Sequence, residues 1–142
     1  MIQRVRAIIM DNNKILAIKR IKKDEVYYVF PGGGVEEGEE LEEALKRECR
    51  EELGVEIKII KNFASERFNR GNMKQMEYFY ICKIISGEIG TGNGPEYDVN
   101  SNYEGIHGIE WISDKFQDYD LRPENISSKL FNYFKNDKRY KD

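Results

Sequence analysis

The stretch that decides the fold covers residues 33–55 and reads GGVEEGEELEEALKRECREELGV. Around its start, Pro31 is followed by three glycines, a composition that suits the interior of neither a strand nor a helix and predicts a loop. Residues 38–53 are mostly glutamate, leucine, alanine, lysine and arginine, which favour a helix, and Gly54 is a natural C-cap. The stretch therefore predicts a glycine loop that leads directly into a helix.

The predicted helix carries its last glutamates on the face that its apolar residues should bury. At about 100° per residue, one stripe of the helix holds two sets of residues: Leu41, Ala44 and Leu45, and then Glu48, Glu51 and Glu52. Carboxylates turned inward repel each other and lose hydration, and a hard divalent cation such as Mg²⁺ or Mn²⁺ would offset both costs. The pattern favours a metal site over the other interpretation, a solvated charged surface. Arg47 lies one turn before Glu51 and can pair with it, and a carbonyl of the glycine loop can complete the coordination.

The rest of the chain predicts strands around this helix and a second helix at the end. Apolar runs with β-branched or aromatic residues predict strands at 5–10, 15–18, 26–30, 55–60, 76–85 and 109–112. Residues 68–74 have the composition of a hairpin loop, and residues 86–105 that of a long loop. A C-terminal amphipathic helix that packs on the sheet is predicted by Ile126, Leu130, Phe131 and Phe134. With no internal repeat or linker, we expect a single domain over residues 1–142.

Composition argues against several classes of function. The chain of 142 residues has a formal net charge of −3, which provides no strong positive field for nucleic acid. No apolar run approaches the ~20 residues of a membrane helix, and the N-terminus lacks the apolar stretch of a signal peptide. Cys49 and Cys82 lie far apart and form no CxxC motif, which suits a reducing compartment. We therefore expect a soluble, cytoplasmic protein that binds neither nucleic acid nor a membrane.

The spacing within residues 33–55 resembles the Nudix box of the Nudix hydrolase superfamily, the MutT-like proteins. That box is a glycine, five residues, a glutamate, seven residues, Arg-Glu, an aliphatic residue, one residue, Glu-Glu, one residue, a glycine and an aliphatic residue. The matching residues here are Gly33, Glu39, Arg47, Glu48, Glu51, Glu52, Gly54 and Val55. The one departure is Cys49 at the first aliphatic position, where a buried cysteine behaves as a small apolar residue. So many fixed positions make chance a poor explanation.

The resemblance implies a fold, a reaction and a set of site residues. The fold is the Nudix α/β fold, an αβα sandwich with a mixed β-sheet between helices. The reaction is hydrolysis of the pyrophosphate linkage of a nucleoside diphosphate joined to another group, with Mg²⁺ or Mn²⁺ as cofactor. Carried over by position, the metal ligands are the Gly33 carbonyl and the carboxylates of Glu48, Glu51 and Glu52. Arg47 would orient an acid, and Glu39 would support the junction between loop and helix.

A further catalytic acid of this family often lies outside the box, in the loop before the last strand. Glu104 is nearest to the strand predicted at 109–112 and is the first choice. Glu96 and Asp98 are the alternatives, and a solvated loop acid stays open for each.

The candidate substrate-binding residues are Arg20, Tyr28 and Arg70. Arg20, at a strand end, could meet a phosphate, Tyr28 could stack on a base, and Arg70 lies in a predicted loop. Surface exposure or core packing stays open for each. A downstream proline that ADP-ribose hydrolases of the family often carry is absent here. The resemblance therefore implies a small-molecule nucleotide substrate without naming it, and it leaves a homodimer open.

Two other functions compete with the enzyme. One is a non-catalytic Nudix domain that binds a nucleotide as a regulator, although such domains typically lose box glutamates and this chain keeps them all. The other is an unrelated acidic helical protein that buffers cations, against which the glycine loop and the order of strands argue.

Overall fold

The computed structural model describes residues 1–90, 108–113 and 118–136. In chain order its elements are β1 (Ile2–Asp11), β2 (Lys14–Lys22), β3 (Glu25–Val29), β4 (Gly32–Gly34), α1 (Leu41–Leu53), β5 (Val55–Arg70), β6 (Met73–Gly87), β7 (Gly108–Ser113), β8 (Leu121–Arg122) and α2 (Glu124–Asn136). They fall into two compact units. Of the described residues, the first unit holds 1–9 and 31–90, and the second holds 10–30, 108–113 and 118–136. None of the helices in these ranges is long and apolar enough to span a membrane.

The first unit is built on a mixed sheet. Its strand β6 pairs antiparallel with β5 and parallel with β1. Strand β4 pairs antiparallel with β1, which places Gly32 opposite Arg6 and Gly33 opposite Val5. A Cβ at Gly32 would lie 1.9 Å from the Val5 carbonyl oxygen, so only glycine permits this approach. The expectation of a loop is therefore wrong at residues 32–34, which form a short strand because β1 offers them a backbone partner.

Helix α1 begins later than the sequence indicates and ends where it indicates. Gly38 has a left-handed φ of 81°, which does not continue a helix, and α1 starts at Leu41. Gly54 has a φ of 82°, and its N–H bonds to the carbonyls of Cys49 and Arg50, as a C-cap does. The core of this unit contains the following buried residues: Ala44, Leu45, Cys49 and Leu53 from α1, and Val5, Ala7, Ile8, Ile9, Phe79 and Ile81 from the strands.

The hairpin of β5 and β6 has a much tighter connection than expected. Its two strands stay paired up to Arg70 and Met73, so the turn is confined to Gly71 and Asn72, and Gly71 has a positive φ of 65°. The hairpin predicted at 68–74 is therefore confirmed, but its loop is shorter than predicted, and the strands predicted at 55–60 and 76–85 are confirmed as parts of longer ones. The sequence underestimates the strands because their polar, exposed ends carry no apolar alternation.

The second unit is built around β2. This strand pairs antiparallel with β3 and with β7, and β3 pairs parallel with β8. Met10 at the end of β1 pairs with Ile15 across a turn in which Asn12 and Asn13 have φ of 50° and 63°, typical of a two-residue hairpin. The predicted C-terminal helix is confirmed as α2, which buries Ile126 and Leu130. Strand β8 has only two residues and shows no pattern in the sequence.

Candidate active site

Helix α1 places one buried carboxylate near the start of β4. Glu52, in the last turn of α1, is only 6% exposed. Its Oε1 accepts a hydrogen bond from the backbone N–H of Gly32 at 2.9 Å. A buried charge is tolerated only where it is partnered, so this bond holds the carboxylate in place against the glycine strand.

One turn earlier, Glu48 lies directly against the same strand. Its side chain is 18% exposed. A Cβ at Gly33 would come within 2.5 Å of the Glu48 Cδ and Oε2 atoms, closer than real Cβ contacts occur. The Glu48 carboxylate thus occupies the space that the side chain of any residue larger than glycine would need at position 33.

The guanidinium of Arg47 ties the loop, the strand and the helix together. Its Nε and Nη2 donate to the two carboxylate oxygens of Glu39 at 2.8 and 3.0 Å, a bidentate pair. Its Nη1 donates to Glu48 Oε1 at 3.0 Å and to Glu51 Oε2 at 3.2 Å, and Nη2 donates to the Gly34 carbonyl at 2.9 Å. The expected pairing with Glu51 is confirmed, and the bonds to Glu39 show how that residue supports the junction between loop and helix.

Burial and Arg47 act on these carboxylates in opposite directions. Burial raises the pKa of Glu48, although Arg47 opposes this by hydrogen bonding and by its charge. The hydrogen bond from Arg47 lowers the pKa of Glu39, against a smaller effect of burial. The same bond raises the pKa of Arg47, so its positive charge is secure. Arg47 contributes one positive charge, whereas the carboxylates to which it donates, those of Glu39, Glu48 and Glu51, contribute three negative charges when ionised.

The helix-face argument from the sequence is confirmed for two of the three glutamates. Glu52 is buried and Glu48 half-buried, while the Glu51 side chain is 43% exposed. Within residues 1–90, 108–113 and 118–136, no three acidic, histidine or cysteine side chains form a cluster ready to hold a metal ion. In this arrangement, Arg47 donates to Glu48 and Glu51, and the Gly32 N–H donates to Glu52.

The candidate substrate-binding residues lie in different surroundings. Tyr28 on β3 is buried, its hydroxyl donates to Glu110 Oε2 at 3.2 Å, and its ring meets that of Tyr119 edge-on. Arg20 is half-buried on β2, in the second unit. Arg70 is exposed at the end of β5, beside the hairpin turn of the first unit. Arg20 and Tyr28 thus belong to the second unit and Arg70 to the first.

The candidates for the further acid, Glu104, Glu96 and Asp98, lie outside the described residues.

Two side-chain contacts of the first unit could not be predicted from the sequence. The bond from Gly32 to Glu52 joins residues 20 apart, and the pair of Arg6 Nε and Glu77 Oε2, at 2.8 Å, joins residues 71 apart. Such contacts depend on strand pairing across the sheet rather than on local composition. Only the glycines themselves could have indicated that a side chain lies close to the backbone here.

Comparison with known proteins decides the family. The chain matches the NUDIX domain over residues 1–123, which includes the whole glycine strand and glutamate helix. The chain belongs to the Nudix family. The match rules out the unrelated acidic helical protein considered above.

Individual Nudix relatives are named as pyrophosphatases. An ADP-ribose pyrophosphatase of Methanocaldococcus jannaschii is 35% identical over 108 residues, which are 68% of this chain and 62% of that protein. An RNA pyrophosphohydrolase of Campylobacter jejuni is 30% identical over 85% of this chain and 81% of its own length. The match with the archaeal relative thus spans less than two thirds of that protein's length.

Solved structures share the fold. The E. coli ORF135 protein superposes with a TM-score of 0.69 at 26% identity, over 100% of this chain and 95% of that one. The expected Nudix α/β sandwich with a mixed sheet is thereby confirmed. The fold and the family are thus shown, and the relatives described above are named as pyrophosphatases.

Proposed function

We propose that this Nudix protein is a metal-dependent hydrolase that cuts the pyrophosphate linkage of a nucleoside diphosphate joined to another group. One observation carries the proposal: the Glu48 carboxylate lies over Gly33, at a place where a Cβ would come within 2.5 Å of it. Glycine lets the Glu48 carboxylate lie directly against the backbone of that strand. A structural ion pair would not require a missing side chain there.

The residues of the site fit a divalent cation. Carboxylates and a carbonyl are the oxygen ligands that Mg²⁺ and Mn²⁺ prefer, and the proposed ligands are the Gly33 carbonyl and the carboxylates of Glu48, Glu51 and Glu52. Burial disfavours the charged form of Glu48, so a nearby cation would lower the free energy of the site. When bound, the cation neutralises the pyrophosphate and lowers the pKa of a water ligand.

The side chains themselves hold the geometry and handle the proton. Arg47 holds Glu48 and Glu51 through one guanidinium nitrogen and is itself held by Glu39, so it is proposed as the residue that orients the acids. The Gly32 N–H keeps Glu52 in a single position. A carboxylate takes the proton from the attacking water as the phosphoanhydride bond breaks, and Glu104 is the proposed acid outside the helix.

The remaining expectations complete the proposal. Arg20, Tyr28 and Arg70 are proposed to contact a small-molecule nucleotide, in a single-domain, cytoplasmic protein. Tyr28 would act through its ring edge or its Glu110 partner, because its hydroxyl is already engaged.

A nucleotide panel tests the proposal. The hydrolysis products would be separated and quantified by liquid chromatography for ADP-ribose, nucleoside triphosphates, dinucleoside polyphosphates and a 5′-triphosphate RNA oligonucleotide, each in Mg²⁺, in Mn²⁺ and in EDTA. We expect hydrolysis of at least one nucleotide with either cation and none in EDTA. Tight binding of a nucleotide without any turnover would instead favour the regulatory Nudix domain.

The acid outside the helix needs its own variants. Glu104→Gln should reduce kcat on the substrate that the panel finds, and Glu96→Gln and Asp98→Asn are the matched controls in the same segment. If one of the controls has the larger effect, the assignment of Glu104 is wrong, while the assignment of the helix glutamates stands.

A further inference from the structure

A second polar cluster is sunk into the sheet of the first unit. In the described part of the chain only three polar or charged residues are buried, namely Glu52, Gln75 and Glu77. Glu52 belongs to the candidate active site. Gln75 and Glu77, at 6% and 8% exposure, lie two residues apart on β6 and therefore point to the same face of the sheet. Burying two such groups side by side is unfavourable unless both find partners.

Within the described residues, Gln75 and Glu77 do not use all of their hydrogen-bonding capacity. Arg6 Nε donates to Glu77 Oε2 at 2.8 Å, with side-chain exposures of 15% and 11%. Among the described residues, no bond is made to the other Glu77 oxygen, and the Gln75 carboxamide makes none at all. In the described part of the chain, no side-chain polar atom is both fully inaccessible and unpartnered. One carboxylate oxygen and a carboxamide thus have no partner among the described residues.

An aromatic ring lies beside this polar pair. Phe68 on β5 is the cross-strand partner of Gln75 and is half-buried. Cross-strand partners have Cβ atoms about 4.5–5.5 Å apart, close enough for a ligand to touch both side chains. A flat apolar surface next to a donor, an acceptor and a carboxylate suits a planar nitrogenous ring, whose face can stack on an aromatic side chain while its edge makes hydrogen bonds.

The cluster also lies at a suitable distance from the candidate active site. Arg6 on β1 donates a hydrogen bond to Glu77 and is the cross-strand partner of Gly32 on β4. The N–H of Gly32 donates a hydrogen bond to Glu52. Strand β1 separates β4 from β6, and two strand spacings amount to about 10 Å. Measured along the sheet, a group bound at β6 is therefore within the length of a nucleotide from β4.

We propose that Gln75 and Glu77, flanked by Phe68, bind a nucleobase that carries an exocyclic amine and so determine the specificity of the hydrolase. The proposal rests on the proposed function. The amine donates to the free Glu77 oxygen, and the ring edge pairs with the Gln75 carboxamide, a group that can read an adenine edge with two bonds. Arg6 is a positioning residue, because it fixes the Glu77 side chain.

Substrates that differ only in the amine test this directly. The value of kcat/KM would be measured for guanosine against inosine triphosphate, and for adenosine against purine riboside triphosphate. A site built around a hydrogen bond discriminates against an analogue that lacks it, so we expect the aminated member of at least one pair to be favoured by about ten- to a hundredfold. Equal values for both members of each pair in the wild type would overturn the inference without any variant.

Variants assign the preference to these residues. Gln75→Met and Glu77→Gln should bring the ratio toward one, whereas Gln3→Met, the same kind of change at an exposed position of β1, should leave it unchanged. A purely structural role predicts a lower melting temperature with the ratio intact, which would overturn the inference. If the wild type hydrolyses no nucleotide, the proposed function fails, and the inference is then decided by Kd for guanosine against inosine monophosphate: a tenfold difference supports it, and equal values overturn it.

Discussion

The substitution Gly33→Ala isolates the contact on which the proposed function depends. The new Cβ would lie 2.5 Å from Glu48 Oε2, and ordinary contact begins at 3.4 Å, so the carboxylate must move by about 0.9 Å. Glu48 can do this cheaply, because the clash involves the far end of a flexible side chain. The main penalty should therefore fall on catalysis, because a misplacement of about 1 Å can lower a rate by about a hundredfold. The free energy of unfolding should fall by about 1–3 kcal/mol at most, the usual cost of overpacking.

Gly34→Ala is the matched control. A Cβ there meets nothing within 4 Å, and its backbone, like that of Gly33, is not left-handed. Both variants would be assayed for metal-dependent kcat on the substrate that the panel finds, and for stability by urea denaturation. We expect a loss of about a hundredfold for the first and a change within about twofold for the control. Similar kcat in the two variants would refute the argument that Glu48 acts from above Gly33.

Three further outcomes are expected. Glu52→Gln should lower kcat by about two orders of magnitude or more, because it removes the charge of a proposed metal ligand. The amide oxygen can still accept the hydrogen bond from the Gly32 N–H, so the local structure should persist. Near wild-type turnover would contradict the role of Glu52. Arg47→Lys cannot reproduce the bidentate pair with Glu39 and should reduce the free energy of unfolding by about 1.5–3 kcal/mol. The control Arg50→Lys changes an exposed ion pair and should cost almost nothing. Equal losses of stability in urea would contradict the role of Arg47 in joining the loop, the strand and the helix. Because Arg47 lowers the pKa of Glu39, the stability from this pair is complete above the ordinary carboxylate pKa and is lost as the pH falls through the lowered one. Urea midpoints measured from neutral to acid pH should fall more steeply for the wild type than for Glu39→Gln, and parallel curves would count against that reasoning.

The sequence predicted the helix, its end and the buried position of two glutamates because these depend on local chemistry. Gly54 ends α1 through its left-handed φ, and the spacing of Glu48 and Glu52 alone places them on the face of Ala44 and Leu45. The box motif supplied the family. Each of these features depends on residues within a few turns of one another.

What the sequence did not predict depends on partners far along the chain. Three glycines after a proline form a strand only because β1 is beside them, and nothing in residues 32–34 specifies that partner. The pairing of Arg6 with Glu77 likewise follows from the parallel register of β1 with β6. Tyr28 could either stack on a base or pack in the core, and its hydrogen bond to Glu110 becomes visible only when β7 is placed beside β2.

Hydrolysis in ¹⁸O-labelled water tests the central claim most directly. The wild type and Glu52→Gln would be incubated with the substrate that the panel finds, with Mg²⁺ and with EDTA, and the products analysed by mass spectrometry. If the chain cuts a phosphoanhydride bond with metal held by the α1 glutamates, label enters one phosphate product of the wild type in Mg²⁺ only, and the Glu52→Gln protein shows almost none. Turnover that survives EDTA, or equal labelling by the two proteins, would contradict the account.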